Sequence, residues 1–230
     1  MSDRLPSGGI QVSPGDLPAL EARWAGCWTP HEVGQRLAGI SVPWYVAAGW
    51  ALDLFRGEQT RDHHDIEIGV PAGRFPEIRE RFAEFTFDAV GDARIWEAAT
   101  PQVLNATRQT WLRDPATGRY LLDVLREPHD GEMWICRRDE TIRLPYAEII
   151  RHTVDRIPYL TPELVLLFKA KHVRPKDQAD FDGVLPLLTR TQRKTLSRLL
   201  TRTHPGHTWL AALSTPFAAG HGTGSPTSPY

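Results

Sequence analysis

Alternation of apolar and polar positions organises the first two-thirds of the chain. Asp65-Ile66-Glu67-Ile68-Gly69-Val70 alternates with period two, which predicts a strand with one buried face. Upstream, Trp44 to Ala48 is a short apolar, β-prone run ended by Gly49, and it predicts a buried strand. A short helix over Trp50–Phe55, closed by Gly57, is expected after it. Leu17–Leu37 has helical spacing, with Leu20, Trp24 and Trp28 sharing a face, and Thr29-Pro30 marks a break and a new helix start. Phe75–Phe85 predicts an amphipathic helix. Further strands are expected near 85–90, 110–113, 120–125, 133–136 and 141–144.

The periodicity changes near Pro158. Thr161-Pro162 opens a helix over Glu163–His172, with Leu164, Leu167 and Phe168 on its apolar face. Pro175 restarts a helix through Leu185, and helical patterns follow over Gln192–Leu200 and Thr208–Leu213. Strands first and helices last predict an α+β protein: a mixed β-sheet with flanking helices, then a C-terminal helical segment. The expected divisions are a flexible N-terminus (1–16), a sheet domain (17–157), a helical domain (158–213) and a disordered tail (214–230) rich in Gly, Pro, Ser and Thr.

Composition narrows the function. The chain has 230 residues, 41% of them hydrophobic, enough for one sizeable core or a domain with a small helical partner. Its 27 lysines and arginines nearly cancel 28 aspartates and glutamates, which argues against a surface built to coat DNA or an anionic membrane. No window approaches the ~20 apolar residues of a membrane helix, and Met1–Asp16 lacks a secretory apolar run. Two cysteines, Cys27 and Cys136, lie far apart and suggest a reducing, cytoplasmic setting.

The candidate chemistry lies in the carboxylates. On a strand, i and i+2 share a side with Cβ atoms roughly 7 Å apart, so Asp65 and Glu67 should project together while Ile66 and Ile68 face the core. Such a pair can share Mg²⁺, a hard ion that takes oxygen ligands and leaves room for phosphate oxygens. Asp123, inside the apolar run Leu121–Leu125, needs a partner or an ion there and is the candidate third acid. Alone, an Asp-Ile-Glu-Ile stretch is usually a half-exposed strand, and a buried acid is often a salt-bridge partner. The Ala48-Gly49 turn adds a backbone that could approach a phosphate.

Two basic features accompany these acids. Thr60-Arg61-Asp62-His63-His64 leads into the carboxylate strand, so Arg61 and the histidines should stand at the mouth of any site. His63 and His64 should point to opposite sides of an extended chain, which disfavours zinc. One is expected to orient an acid and the other to face solvent. Lys169-Ala170-Lys171-His172, followed by Arg174-Pro175-Lys176-Asp177, places cations beside a new helix start, an arrangement that could hold a triphosphate or form a solvated helix face.

Taken together, Ala48-Gly49-Trp50-Ala51-Leu52-Asp53, then Thr60 to Ile68, resemble the signature of the aminoglycoside-2''-adenylyltransferase-like proteins of the nucleotidyltransferase superfamily related to DNA polymerase β. Pro158 to Glu163, Phe168 to Lys171 and Lys176 to Phe181 resemble that group's C-terminal helical motif. The likeness spans roughly residues 20–213. It implies a nucleotidyltransferase-type sheet in which Asp65, Glu67 and Asp123 hold Mg²⁺, two ions in all, and carry the catalysis. It further implies that Ala48, Gly49, Trp50, Arg61, His63 and Lys169 or Lys171 border the nucleotide. Asp177 and Asp180 match an acidic pair of the motif and read as bracing between helices. Two departures stand out: Ala48 occupies the usual first-glycine position, and Glu67 replaces the commoner aspartate.

The expected activity is Mg²⁺-dependent transfer of a nucleoside monophosphate, AMP from ATP, to a hydroxyl of a small molecule, with release of pyrophosphate. An aminoglycoside-like antibiotic and a metabolite both remain open as acceptor, because the acids Asp92, Glu97 and Asp114 are scattered. One alternative is a toxin-like enzyme acting on tRNA ends through the basic run from Arg190 to Arg202; near-neutral charge argues against it. Another is a silent nucleotide-binding protein of the same fold, which Ala48 keeps open.

Overall fold

The structure is a computed structural model and describes residues 5–215. The strands, in chain order, are β1 (Ile10–Gln11), β2 (Tyr45–Val46), β3 (Glu67–Pro71), β4 (Thr86–Gly91), β5 (Arg94–Trp96), β6 (Gln109–Arg113) and β7 (Tyr120–Glu127). They continue as β8 (His129–Asp130), β9 (Met133–Ile135), β10 (Arg143–Pro145), β11 (Ile150–His152) and β12 (Pro158–Leu160). The helices are α1 (Leu17–Ala22), α2 (Pro30–Arg36), α3 (Ala48–Arg56), α4 (Phe75–Arg81), α5 (Pro101–Ala106) and α6 (Tyr146–Ile149). After β12 come α7 (Pro162–Lys169), α8 (Pro175–Val184), α9 (Arg190–Thr203) and α10 (Trp209–Ser214).

Among the described residues, nine strands form one mixed sheet in the order β1-β5-β4-β6-β7-β3-β2-β12-β11, and β8, β9 and β10 form a second, small sheet. The pairs β3–β7 and β2–β12 are parallel, and the others in the large sheet are antiparallel. The period-two pattern sorts the two faces. Ile66, Ile68 and Val70 are fully buried with Val33, Ile78, Leu122 and Val124 on the side of α2 and α4. Each such side chain contributes roughly 1.5–3 kcal/mol of burial. The opposite face packs Tyr45, Ala47 and Leu52 against Leu164, Phe181, Leu199 and Trp209 of the C-terminal helices. The mixed sheet with flanking helices and a C-terminal run of helices is therefore the architecture the periodicity implied.

Several boundaries differ from the sequence reading. The strand begins at Glu67, so Asp65 stands just before it; the backbone bond from Asp123 N–H to the Ile66 carbonyl marks where pairing starts. Leu17–Leu37 is divided at Thr29-Pro30 as expected, with α2 starting on a capping box between Thr29 and Glu32, but α1 already ends at Ala22. Phe75–Phe85 is helical only to Arg81. Ile10–Gln11, inside the segment expected to be flexible, pairs with β5. The segment from 158 opens with β12, a strand of the large sheet, before its helices. Of the expected disordered tail, residues 216–230 lie outside the described residues, as do 1–4.

Candidate active site

β2 leads into the site. Its end, Val46, pairs with Ile68, and the next residues turn into α3 with Ala47 extended at the cap. Ala48 adopts φ 49°, the left-handed region that disfavours a side chain with Cβ. Gly49 follows for a different reason: a Cβ there would lie 2.5 Å from Arg61 Nη2 and 2.6 Å from His63 Cε1. Gly57, in the left-handed region at φ 77°, closes α3 as the sequence indicated.

Arg61 and His63 are held by a buried acid of α3. His63 Nε2 donates to Asp53 Oδ2 at 2.6 Å, and Arg61 Nη1 donates to His63 Nδ1 at 3.1 Å. Thr60 Oγ1 donates to the other oxygen of Asp53 at 2.7 Å. Trp50 stacks on the His63 ring, with centroids 4.3 Å apart and planes at 27°. Burial lowers the His63 pKa against the raising pull of Asp53, so the ring sits neutral and fixed. His64 is exposed.

The parallel pairing of β3 with β7 sets Glu67 directly beside Asp123. Asp123 Oδ2 accepts bonds from Gln109 Nε2 and from Trp111 Nε1 (3.2 Å), both on the neighbouring β6. Its Oδ1 is buried and has no hydrogen-bond partner among the described residues. Burial first and the adjacent Asp65 second push the Glu67 carboxyl up to about 7, while Lys169, Arg137 and Lys176 pull it down. Burial, then Glu67, push Asp123 well above the carboxylate range. Three acids this close in a poorly solvated wall repel one another, and a cation would relieve them.

A cavity of about 610 Å³ opens over this face. Asp65 and Glu67 line it together with Ala48, Gly49, Trp50, Arg61, His63, Lys169 and Lys171. Asp123 does not; it stands beside Glu67 on the neighbouring strand and is 2% exposed. No group of three His, Cys, Asp or Glu side chains among the described residues stands ready as a metal cage. The donor types and the orphaned Asp123 oxygen nevertheless suit a hard divalent cation.

Lys169 is already committed: its ammonium lies 2.9 Å from both Asp177 and Asp180, and Arg61 reaches Asp180 at 3.4 Å. Asp177 also accepts from Arg174 at 2.7 Å. Against the cost of its burial, these bonds hold the Asp177 carboxyl below the usual range. Sequence reasoning missed several lining groups, Arg137 and Glu127 among them. Arg137 makes no ion pair among the described residues and lies over the Phe168 ring at 4.8 Å. Glu127 is 4% exposed, with Oε2 buried and without a partner among them. Glu127 was legible: it stands four residues beyond Asp123 on one strand, hence on the same face. Arg137 lies in the connection between β9 and β10, a segment without clear periodicity.

Part of the chain is similar to known proteins. Residues 31–103 match the family model described as Aminoglycoside-2''-adenylyltransferase. The match covers the stretch that carries α3, Arg61, Asp65 and Glu67, where the residues themselves gave the resemblance. Among solved structures, the lincomycin-bound lincosamide antibiotic adenylyltransferase LnuA is 17% identical at TM-score 0.45, covering 76% of this chain and 98% of that one. ANT(2'')-Ia in complex with adenylyl-2''-tobramycin is 15% identical at TM-score 0.49, covering 75% and 95%. An antigenic nucleotidyltransferase-like protein from Paracoccidioides brasiliensis is 13% identical at TM-score 0.41, covering 89% and 94%. No curated protein matches the chain.

Proposed function

We propose that the chain is a nucleotidyltransferase that moves a nucleoside monophosphate, AMP from ATP, onto a hydroxyl of a small molecule. The acceptor oxygen forms a bond to the α-phosphorus, the bond to the β-phosphate oxygen breaks, and pyrophosphate leaves; the acceptor's proton passes to a carboxylate or to water. The observation that carries the reading is the in-register pair Glu67–Asp123, with an unpartnered Asp123 oxygen, behind a cavity that also holds Arg137, a cation without an ion pair among the described residues.

Asp65, Glu67 and Asp123 are the residues that would hold Mg²⁺, which would neutralise phosphate charge and acidify the acceptor hydroxyl. Arg137, Lys171 and Lys176 line the same cavity and are suited to the phosphate oxygens. Gly49, in the first turn of α3, lets Arg61 and His63 pack close against the backbone, where a Cβ would clash with both. Asp53 fixes His63, and His63 fixes Arg61, so this rim is set before any ligand arrives. The matched family's description favours an antibiotic as acceptor; a metabolite fits the same chemistry.

The test is pyrophosphate release from ATP in the presence of Mg²⁺ and a library of hydroxyl acceptors. Asp65→Asn should lower the rate at least about a hundredfold, as loss of charge stabilisation at a transition state does. A folded Asp65→Asn protein with the wild-type rate would rule the assignment out.

A further inference from the structure

One acid in the cavity wall has no part in the chemistry above, and it bears on the nucleotide if that reading is right. β3 and β7 pair in register from Glu67–Asp123 to Pro71–Glu127, so Glu127 stands four residues beyond the metal-facing acids. That is roughly 13 Å along the strand, on the same face of the sheet. Tyr45, Leu125, Leu160, Val165 and Phe168 line the cavity and belong to one apolar cluster. Trp134, whose N–H acts on the Glu127 carboxyl, meets Phe168 edge-on at 6.1 Å between centroids, which places Glu127 at this apolar end. Trp24 marks the other end: its ring lies 5.2 Å from that of Tyr120, the first residue of β7, whereas Glu127 is the last.

The Glu127 end asks for a particular kind of donor. The side chain is 4% exposed, and Oε2 is buried without a hydrogen-bond partner among the described residues. Burial pushes the carboxyl up, while Arg137, Arg108 and the Trp134 N–H pull it back toward the ionised form. A buried carboxylate oxygen that no donor reaches carries a desolvation cost, which a donor on a ligand would remove. Arg137, held over the Phe168 ring at 4.8 Å, already brings positive charge to this end, so an uncharged N–H suits it better than an ammonium. With the α-phosphate at Asp65 and Glu67 and the pyrophosphate toward the exposed Lys171 and Lys176, the two ends are left for acceptor and nucleoside. The Trp24 end joins a side branch past the exposed Glu21 and His64, an open place for an acceptor. The apolar Glu127 end suits a flat base, at a distance from the metal-facing acids comparable to the length of a nucleoside 5'-phosphate.

We propose that Glu127 reads the nucleobase: its Oε2 accepts a hydrogen bond from the exocyclic 6-amino group of adenine, with the ring lying among the apolar side chains of this end. Carboxylates read the exocyclic amino group of cytosine in the same way. A base with a carbonyl at that position would set oxygen against oxygen. Glu127 is thereby a residue of nucleotide specificity, with a role separate from that of the metal-facing acids.

Isothermal titration of the full chain with ATP and with ITP, each in Mg²⁺ and without an acceptor, tests this. ITP carries a carbonyl oxygen where ATP carries the amino group. ATP should bind roughly tenfold more tightly, because a site built around one hydrogen bond rejects the analogue that cannot make it. Glu127→Gln keeps the shape of the side chain and can present either an oxygen or an N–H, so the preference should shrink to about threefold or less, chiefly through tighter ITP. A purely structural role would weaken both nucleotides alike and leave their ratio unchanged, and that result in a variant that still unfolds cooperatively would overturn the proposal. So would a wild-type preference for ATP under about threefold, a measurement that needs no variant. Failure of both nucleotides to bind would strike the nucleotidyl-transfer reading and this proposal together, whereas equal binding of the two would strike base reading alone.

Discussion

Ala48 concentrates the local strain of the site. An L-residue in the left-handed region costs about 1 kcal/mol relative to glycine, and here the strain sits where a phosphate would approach. Ala48→Gly should therefore raise stability by roughly 0.5–1 kcal/mol in urea denaturation and lower the KM for ATP. An unchanged midpoint together with an unchanged KM would mean that the turn is relaxed as it stands. Glu67 gives a second expectation at this scale. Its folded pKa, about 7, lies above the ordinary 4.5, so it favours the folded state fully below pH 4.5, and that contribution is lost as pH rises through 7. At ~1.4 kcal/mol per pKa unit the loss is on the order of 3 kcal/mol at most, since the side chain is only half-buried. Metal-free protein should accordingly melt lower at pH 8 than at pH 5. Glu67→Gln should flatten that slope, and Mg²⁺ should restore stability chiefly on the alkaline side. A pH-independent difference between wild type and Glu67→Gln would contradict the cause given for the shift.

At the scale of elements, the brace between α7 and α8 decides which cations are free. Lys169 on α7 is shared by Asp177 and Asp180 of α8, and Asp180 also reaches Arg61 on the rim, so one network ties the helices to the site. Asp177→Ala would leave the 9%-exposed Lys169 side chain with one fewer acid and should cost about 3 kcal/mol, the penalty for breaking a buried ion pair. Chemical denaturation reads this directly, and a loss under about 1 kcal/mol, the range of an exposed pair, would show that Asp180 suffices. The acids of this brace were visible in the sequence, because Lys169 and the Asp177/Asp180 pair stand on helices with clear start signals at Pro162 and Pro175. The β3 register was visible too, since Ile66 and Ile68 had only one face to bury. Its first residue was not: alternation continues through Asp65, but whether the neighbouring strands reach that far depends on their length. Strands of two or three residues such as β1, β11 and β12 carry too few positions for a period to register. Their place comes from pairing across distant segments.

For the whole molecule, the sheet is the partition and each face has its own core. The side that carries Glu67 has no core without the C-terminal helices: Tyr45, Ala47, Ala51 and Leu52 are covered by Leu164, Leu167, Phe181 and Leu199. Tyr45 in turn lies over Gly69, where no side chain could fit, so the cover also sets how closely β2 approaches β3. The edge is shared as well, since β12 pairs with β2 and carries the chain from the sheet into α7. It follows that the sheet segment and the segment from 158 onward should unfold together, in one transition that coincides by tryptophan fluorescence and by far-ultraviolet circular dichroism. A chain ending at residue 157 should lose that transition, because it exposes the whole face on which Glu67 and Gly49 stand and leaves β2 unpaired on one side. A cooperative melt from the 1–157 fragment would show instead that the core of Ile66, Ile68 and Val124 can hold the sheet alone, with the helical cover reduced to a lid over the acids.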